Sequence, residues 1–309
     1  MNTSILTQKN HGEIINASPE HFGSLRDSSD IFSNPLEIRQ RMSEDGYLYF
    51  KGVLNHDDVI EARRELLEKM AKDGFVHPDF PLMEGISHPE KKIGFAPEYA
   101  MGSVALKNVV FGQTMMAFYQ RLLGGEVRHF DFRWLRAVSG GLPGINPHCD
   151  IVYMGRGTSN LFTAWVPYGD TPMEMGTIMV LEDSHKKSPM IKRYLDRDVD
   201  TYCTNFSDAK DIESGKKSWP QFTFSGALSN SAARLQNKIG GRWLSADFKV
   251  GDFLSFGMRM IHSSLDNQTE KIRLSSDTRY QLASEPIDER WIGENPIAHG
   301  VAGKRGQIC

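Results

Sequence analysis

Apolar residues recur at two different periods along this chain, and the change between them predicts its architecture. In the first third they recur at helical spacing. Asn34-Pro35 opens a short helix in which Ile38 and Met42, four residues apart, share one side before Gly46 ends it. Tyr47-Leu48-Tyr49-Phe50 then reads as a strand. Residues 56–73 set Val59, Ala62, Leu66 and Met70 on one helical face before Gly74, and residues 104–123 do the same before Gly124-Gly125. From Val127 the period is two: Phe130, Phe132, Trp134 and Val138 alternate with His129, Asp131, Arg133 and Ala137, as in a strand with one apolar face. Further strands are predicted at 148–153, 161–168, 176–182, 244–248, 252–261 and 272–282, separated by Gly, Pro, Asp and Asn turns. Many short, punctuated strands predict a mainly β fold, a sandwich or jelly roll, with the early helices packed outside it.

The same pattern divides the chain as one domain. Residues 1–33 are a polar lead-in, mobile or hugging the surface, 34–126 a helical part, 127–283 the β core and 284–309 a tail. Within the core, 184–242 is polar and aperiodic except for a short helix around Ala232 to Ile239, which predicts a long insertion over one end of the barrel. With 75–102 it would form mobile covers over the barrel mouth.

Composition narrows the function. The 309 residues are 39% hydrophobic with five Trp and seventeen Phe, enough for a large core. A net charge of −3 gives no basic footprint for nucleic acid, and no apolar run of about eighteen residues could span a membrane. The start of the chain lacks the apolar core of a signal peptide. Three cysteines, Cys149, Cys203 and Cys309, are an odd number with no close pair, so neither a disulfide framework nor a zinc knuckle is expected, and the cytoplasm is the expected compartment. Nothing indicates a homo-oligomer, although the polar lead-in could cover another subunit.

The candidate chemistry lies in His148-Cys149-Asp150, followed by His262 and Arg273. His-x-Asp occurs three times, and context separates the copies. His56 and Asp58 open a helix, where residues two apart diverge, and His77 and Asp79 lie in a proline-bounded loop. On a strand, His148 and Asp150 would share a face while Cys149 points away. Two imidazoles and one carboxylate fit one face of octahedral Fe(II) and leave the other open. The planar fork of Arg273 fits the far carboxylate of a keto acid. His129 and His185 read as hydrogen-bonded structural residues. For a small-molecule substrate the candidates are Arg133 or Arg136, on opposite faces of one strand, and Tyr153 and Arg156 in the loop after Asp150.

From about Asp45 to Ala283 the chain resembles the phytanoyl-CoA dioxygenase family. The residues carrying the resemblance are Asp45 to Leu54, Ala164-Trp165-Val166-Pro167, Met175 to Lys186 with Asp183 in place of the usual Gly, and above all His262 to Asn267 with Arg273 to Gln281. The resemblance implies a double-stranded β-helix, the cupin-like jelly roll. It also implies His148, Asp150 and His262 as Fe(II) ligands, with 2-oxoglutarate and O2 as co-substrates and succinate and CO2 as products. It sets Ser264 and Trp165 beside 2-oxoglutarate, with Ser275 as an alternative hydroxyl; Thr163 alternates onto the face of Trp165. Related halogenases have a small residue where this chain has Asp150, so oxygen insertion is expected, with hydroxylation as the default outcome. Two other classes stay open: a cupin-type metal enzyme that uses no keto acid, and a barrel that only binds a small ligand. Gly- and Ser-rich covers without a basic cluster favour a free small molecule, one with a carboxylate, over an acyl-CoA.

Overall fold

The computed structural model describes residues 7–218 and 225–309. Two antiparallel sheets face each other. The larger runs Tyr47–Phe50, Phe253–Gly257, Phe162–Pro167, Arg273–Leu282, Val127–His129, and Trp134–Val138 also pairs with the long strand Arg273–Leu282. The smaller runs His262–Ser264, Ile178–Leu181, Trp243–Ser245, Phe22–Ser24, its last strand parallel. Trp165, Leu254 and Phe256 of the larger sheet meet Ile178, Val180 and Leu244 of the smaller one between the layers. This is the predicted jelly roll.

The early helices cover the outer face of the larger sheet. Pro35–Asp45 has Asn34 as its N-cap, accepting from the amides of Leu36 and Glu37, and Gly46 closes it in the left-handed region at φ 75°. His56–Lys72 buries Val59, Ala62, Leu66 and Met70 in one cluster with Phe50, Val166, Leu274 and Tyr280 of the sheet. The helix expected over 104–123 is two, Val104–Val110 and Gln113–Leu123, because the chain turns at Phe111-Gly112, where a Cβ on Gly112 would come within 2.1 Å of the Asn108 carbonyl.

Several expectations change. The strand expected over 127–138 is broken between His129 and Trp134, because the Phe130 amide bonds Arg279 O while those of Asp131 and Phe132 bond Trp291 O from the tail. The 252–261 strand ends at Gly257. Residues 148–153 are not a strand: His148 makes a single bridge to His262, and Ile151–Met154 is one helical turn. The lead-in joins the smaller sheet through Phe22–Ser24 and buries Asn10, whose amide nitrogen donates to Ser264 O. Residues 1–6 and 219–224 of the expected lead-in and insertion lie outside the described residues. The described part of 184–242 meets the segment around His148, with Val199 N donating to Val152 O and Leu228 N to Pro147 O. It contains the expected helix Ala232–Ile239 and packs Ile191, Tyr194, Val199, Leu235 and Ile239 on the outer face of the smaller sheet, against Met179, Leu181 and Trp243.

Cysteine usage is corrected too. Cys203 and Cys309, 106 residues apart, form a disulfide that sequence spacing could not reveal, and Cys149 is a buried free thiol. The inference from cysteine count to a reducing cytoplasm therefore falls. No helix among the described residues is long and apolar enough to cross a membrane.

Candidate metal centre and its two chambers

His262 opens a strand of the smaller sheet, and His148 pairs with it across an isolated bridge in which each backbone amide donates to the other's carbonyl at 3.0 Å. The two rings lie 4.2 Å apart between centroids. After Cys149 the chain turns into Ile151–Met154, which brings the Asp150 carboxylate back between them. The three residues are buried, and one ligand atom from each lies within 4.8 Å of the others. Asp150 Oδ1 stands 3.8 Å from His148 Nε2 and 3.6 Å from His262 Nε2. His148 and Asp150 therefore converge as expected, but through a turn and not through strand alternation. Cys149 does point away, its thiol facing Arg259 O at 3.5 Å.

The remaining atoms of these side chains are engaged in a way that leaves the converging ones for a metal. His148 Nδ1 is 2.8 Å from Asn146 O, and His262 Nδ1 is 3.1 Å from Met260 O. A carbonyl only accepts, so each Nδ1 carries the proton and each Nε2 presents a lone pair. Burial, then the neighbouring His262, pushes the His148 pKa down to about 3. Burial likewise lowers that of His262. Both imidazoles are neutral, as metal ligation requires. Burial alone would raise the Asp150 carboxyl, but Arg279, the two histidines and the Thr163 hydroxyl together hold it below the usual carboxylate range. Its Oδ2 accepts from Thr163 Oγ1 at 2.6 Å and from Arg279 Nη2 at 3.0 Å.

Two cavities meet at the triad. The inner one is lined by His148, His262, Trp165, Ser264, Arg273 and Asp277, among others. Arg273 is 1% exposed; its Nη1 donates to Ser275 Oγ at 2.6 Å, and its Nε has no acceptor among the described residues. Burial, then Arg136, pushes its pKa down to about 9, which leaves it a cation at neutral pH. Ser264 Oγ accepts from the Ile145 amide, so its own hydrogen is available to a ligand. Ser275 orients the guanidinium. Thr163, expected beside the co-substrate, bonds Asp150 instead.

The outer cavity, about 270 Å³, is lined by Phe95, Trp134, Arg136, Tyr153, Arg279 and His299 together with triad residues. Of the four substrate candidates, Arg136 and Tyr153 lie here. Arg136 borders both chambers with its Nε 2.9 Å from Asp277 Oδ2, and the Tyr153 ring sits edge-on to His148. Arg133 turns away to Met101 O, and Arg156 binds Asp198 at 2.7 Å and Gly303 O. A larger concavity of about 380 Å³, near Arg39 and His185, holds no triad residue, and His185 there faces Ser43 O as a structural histidine. His129 is structural as well, stacked on Phe111. Of the described covers, Phe95 comes from 75–102, while no described residue of 184–242 lines the chamber.

A jelly roll with a buried centre of two histidines and one carboxylate is the scaffold of a non-haem metal protein. The chain matches the model of the phytanoyl-CoA dioxygenase (PhyH) family over residues 42–275, about three quarters of its length, and belongs to that family. No curated protein matches it in sequence. Among solved structures it is similar to EctD from S. alaskensis with 2-oxoglutarate and 5-hydroxyectoine, at TM-score 0.57 and 16% identity over 95% of this chain and 94% of that one. It is also similar to the epimerase SnoN in complex with Fe3+, alpha ketoglutarate and nogalamycin RO (TM-score 0.56, 17% identity, 86% and 94% covered). The carbocyclase SnoK from nogalamycin biosynthesis is a third (TM-score 0.56, 17% identity, 81% and 85% covered). At these identities the likeness establishes the fold.

Proposed function

We propose that this protein is an Fe(II)- and 2-oxoglutarate-dependent oxygenase that hydroxylates a C–H bond of a small molecule. One observation carries the reading: His148 Nε2, His262 Nε2 and Asp150 Oδ1 converge while every other polar atom of these side chains is engaged by the protein, and a buried arginine lines the chamber beside them. Iron with 2-oxoglutarate and O2 supplies the oxidising power, releasing succinate and CO2. The chain supplies positions. His148, Asp150 and His262 would hold the ion. Arg273, steadied by Ser275, takes the far carboxylate of the keto acid with its fork, Ser264 donates to it, and Trp165 walls it from water. The outer chamber, which His148 and Asp150 border, would hold the substrate beside the positions that the three side chains leave free.

A metal barrel without a keto acid has no use for Arg273, whose burial carries a desolvation cost and whose Nε meets no acceptor among the described residues. The decisive assay is succinate release from 2-oxoglutarate with Fe(II), ascorbate and air. Arg273→Leu should raise the 2-oxoglutarate requirement by a factor of tens to thousands, the worth of about 2–5 kcal/mol for a desolvated charged contact, with iron affinity little changed. An unchanged titration would remove the keto acid from the reading. SnoN is an epimerase and SnoK a carbocyclase on this fold, so mass analysis of the product separates hydroxylation from those outcomes.

A further inference from the structure

The wall of the outer chamber is mostly apolar, formed by Phe95, Trp134, Ile145 and Met154, and its volume of about 270 Å³ lies just below the ~300–1,000 Å³ of pockets for drug-sized ligands. A compact body fits it. Two guanidiniums interrupt the apolar wall. Arg279 is 2% exposed, lies 4.2 Å over the Trp134 ring, and gives Nη2 to Asp150. Its Nε and Nη1 are buried without an acceptor among the described residues. Buried cationic donors are costly unless something accepts from them, so unpaired ones in a cavity wall mark where a ligand's oxygen belongs. Arg136 gives only its Nε to Asp277 and lies 5.6 Å from the Phe95 ring.

On the iron and 2-oxoglutarate reading above, the keto acid would occupy the inner chamber at Arg273, which leaves Arg279 and Arg136 as the guanidiniums that a substrate's anionic group would meet in the outer one.

We infer that the outer chamber is a carboxylate-binding substrate site. It takes a compact, apolar, free monocarboxylic acid whose carboxylate accepts from Arg279 Nη1 with Arg136 beside it, and whose body lies against Phe95 and Trp134. A thioester has no carboxylate to offer these groups.

The test uses the protein loaded with Fe(II) and 2-oxoglutarate without oxygen, so that binding is read by calorimetry apart from turnover. The probes are 3-phenylpropanoate, cyclohexanecarboxylate and octanoate, each beside its primary amide and its CoA thioester. At least one acid should bind about 10- to 100-fold tighter than its amide, the worth of a charge-assisted hydrogen bond. Arg136→Leu, and Arg279→Lys, which lacks the fork to serve Asp150 and a second carboxylate together, should each shrink that ratio to a few-fold. The comparison in the unmodified protein stands even if a variant misfolds. Equal affinity for acid and amide, preference for thioesters, or no binding by any acid of the panel overturns the inference. A 2-oxoglutarate titration of the same sample isolates the cause, since the reading of the cofactor fails only if the keto acid does not bind.

Discussion

Asp150 divides its two oxygens between two tasks: Oδ1 faces the histidine nitrogens, while Thr163 and Arg279 fix Oδ2 and so the plane of the carboxylate. Partners of this kind typically change metal affinity about 10- to 100-fold when removed. Thr163→Val, which fits a strand equally well, should therefore weaken iron binding about tenfold in a metal titration and leave the Arg273-dependent step intact. His148→Ala, Asp150→Ala and His262→Ala should fold and lose most iron binding and turnover, whereas His56→Ala and His77→Ala should keep both. Full activity in any triad variant would remove the assignment. Of these residues, the triad and Arg273 were legible in the sequence from spacing and resemblance. Asp277 and Arg279 were within reach, because they share the inward face of Arg273 at a period of two. Phe95 and His299 carried no local signal; a loop and the tail bring them in through tertiary contacts alone.

The long strand Arg273–Leu282 joins the site to the core. Its inward side carries Arg273, Ser275, Asp277 and Arg279, while Leu274 and Tyr280 point outward under the helices. Tyr280 is fully buried and stacks on Tyr119 of Gln113–Leu123 with centroids 3.9 Å apart. Tyr280→Ala should lower unfolding free energy by about 3–5 kcal/mol, as large aromatic-to-alanine changes do, measured by denaturant titration. A loss under 1 kcal/mol would show that this contact does not tie helix to sheet. Alternation read Phe162–Pro167 and Arg273–Leu282 to within a residue at each end but carried Phe253–Gly257 four residues too far. It overran at 127–138 and 148–153, because the first is interrupted by amide bonds to Trp291 and the second turns after one bridge. Neither partner is visible in a local window.

Across the whole molecule, the tail is fastened to the barrel by Cys203–Cys309, by pairing of Arg305–Gln307 with Thr201–Cys203, and by Asp200, which binds Arg290, His299 and Lys304. Cys309→Ser should cost about 2–4 kcal/mol, read as a lowered Tm that matches that of the reduced parent. The metal-free protein should also weaken in acid. The pKa values of His148 and His262 are depressed in the fold, so below the unfolded value of 6.5 the unfolded chain binds more protons than the folded one. Stability is then lost as pH falls from about 6.5, by up to about 1.4 kcal/mol per pH unit for each histidine, and denaturant midpoints at pH 7.5 and 5.5 measure it. Equal midpoints would mean that the two rings are protonated in the fold. The paired peptide bonds between His148 and His262 have a consequence for the working life of the enzyme. Since hydrogen-bonded peptide groups join the two ligand-bearing segments, the ligand pair should persist when the ion is removed: iron added after chelation should bind again without a refolding step, which a reloading titration checks.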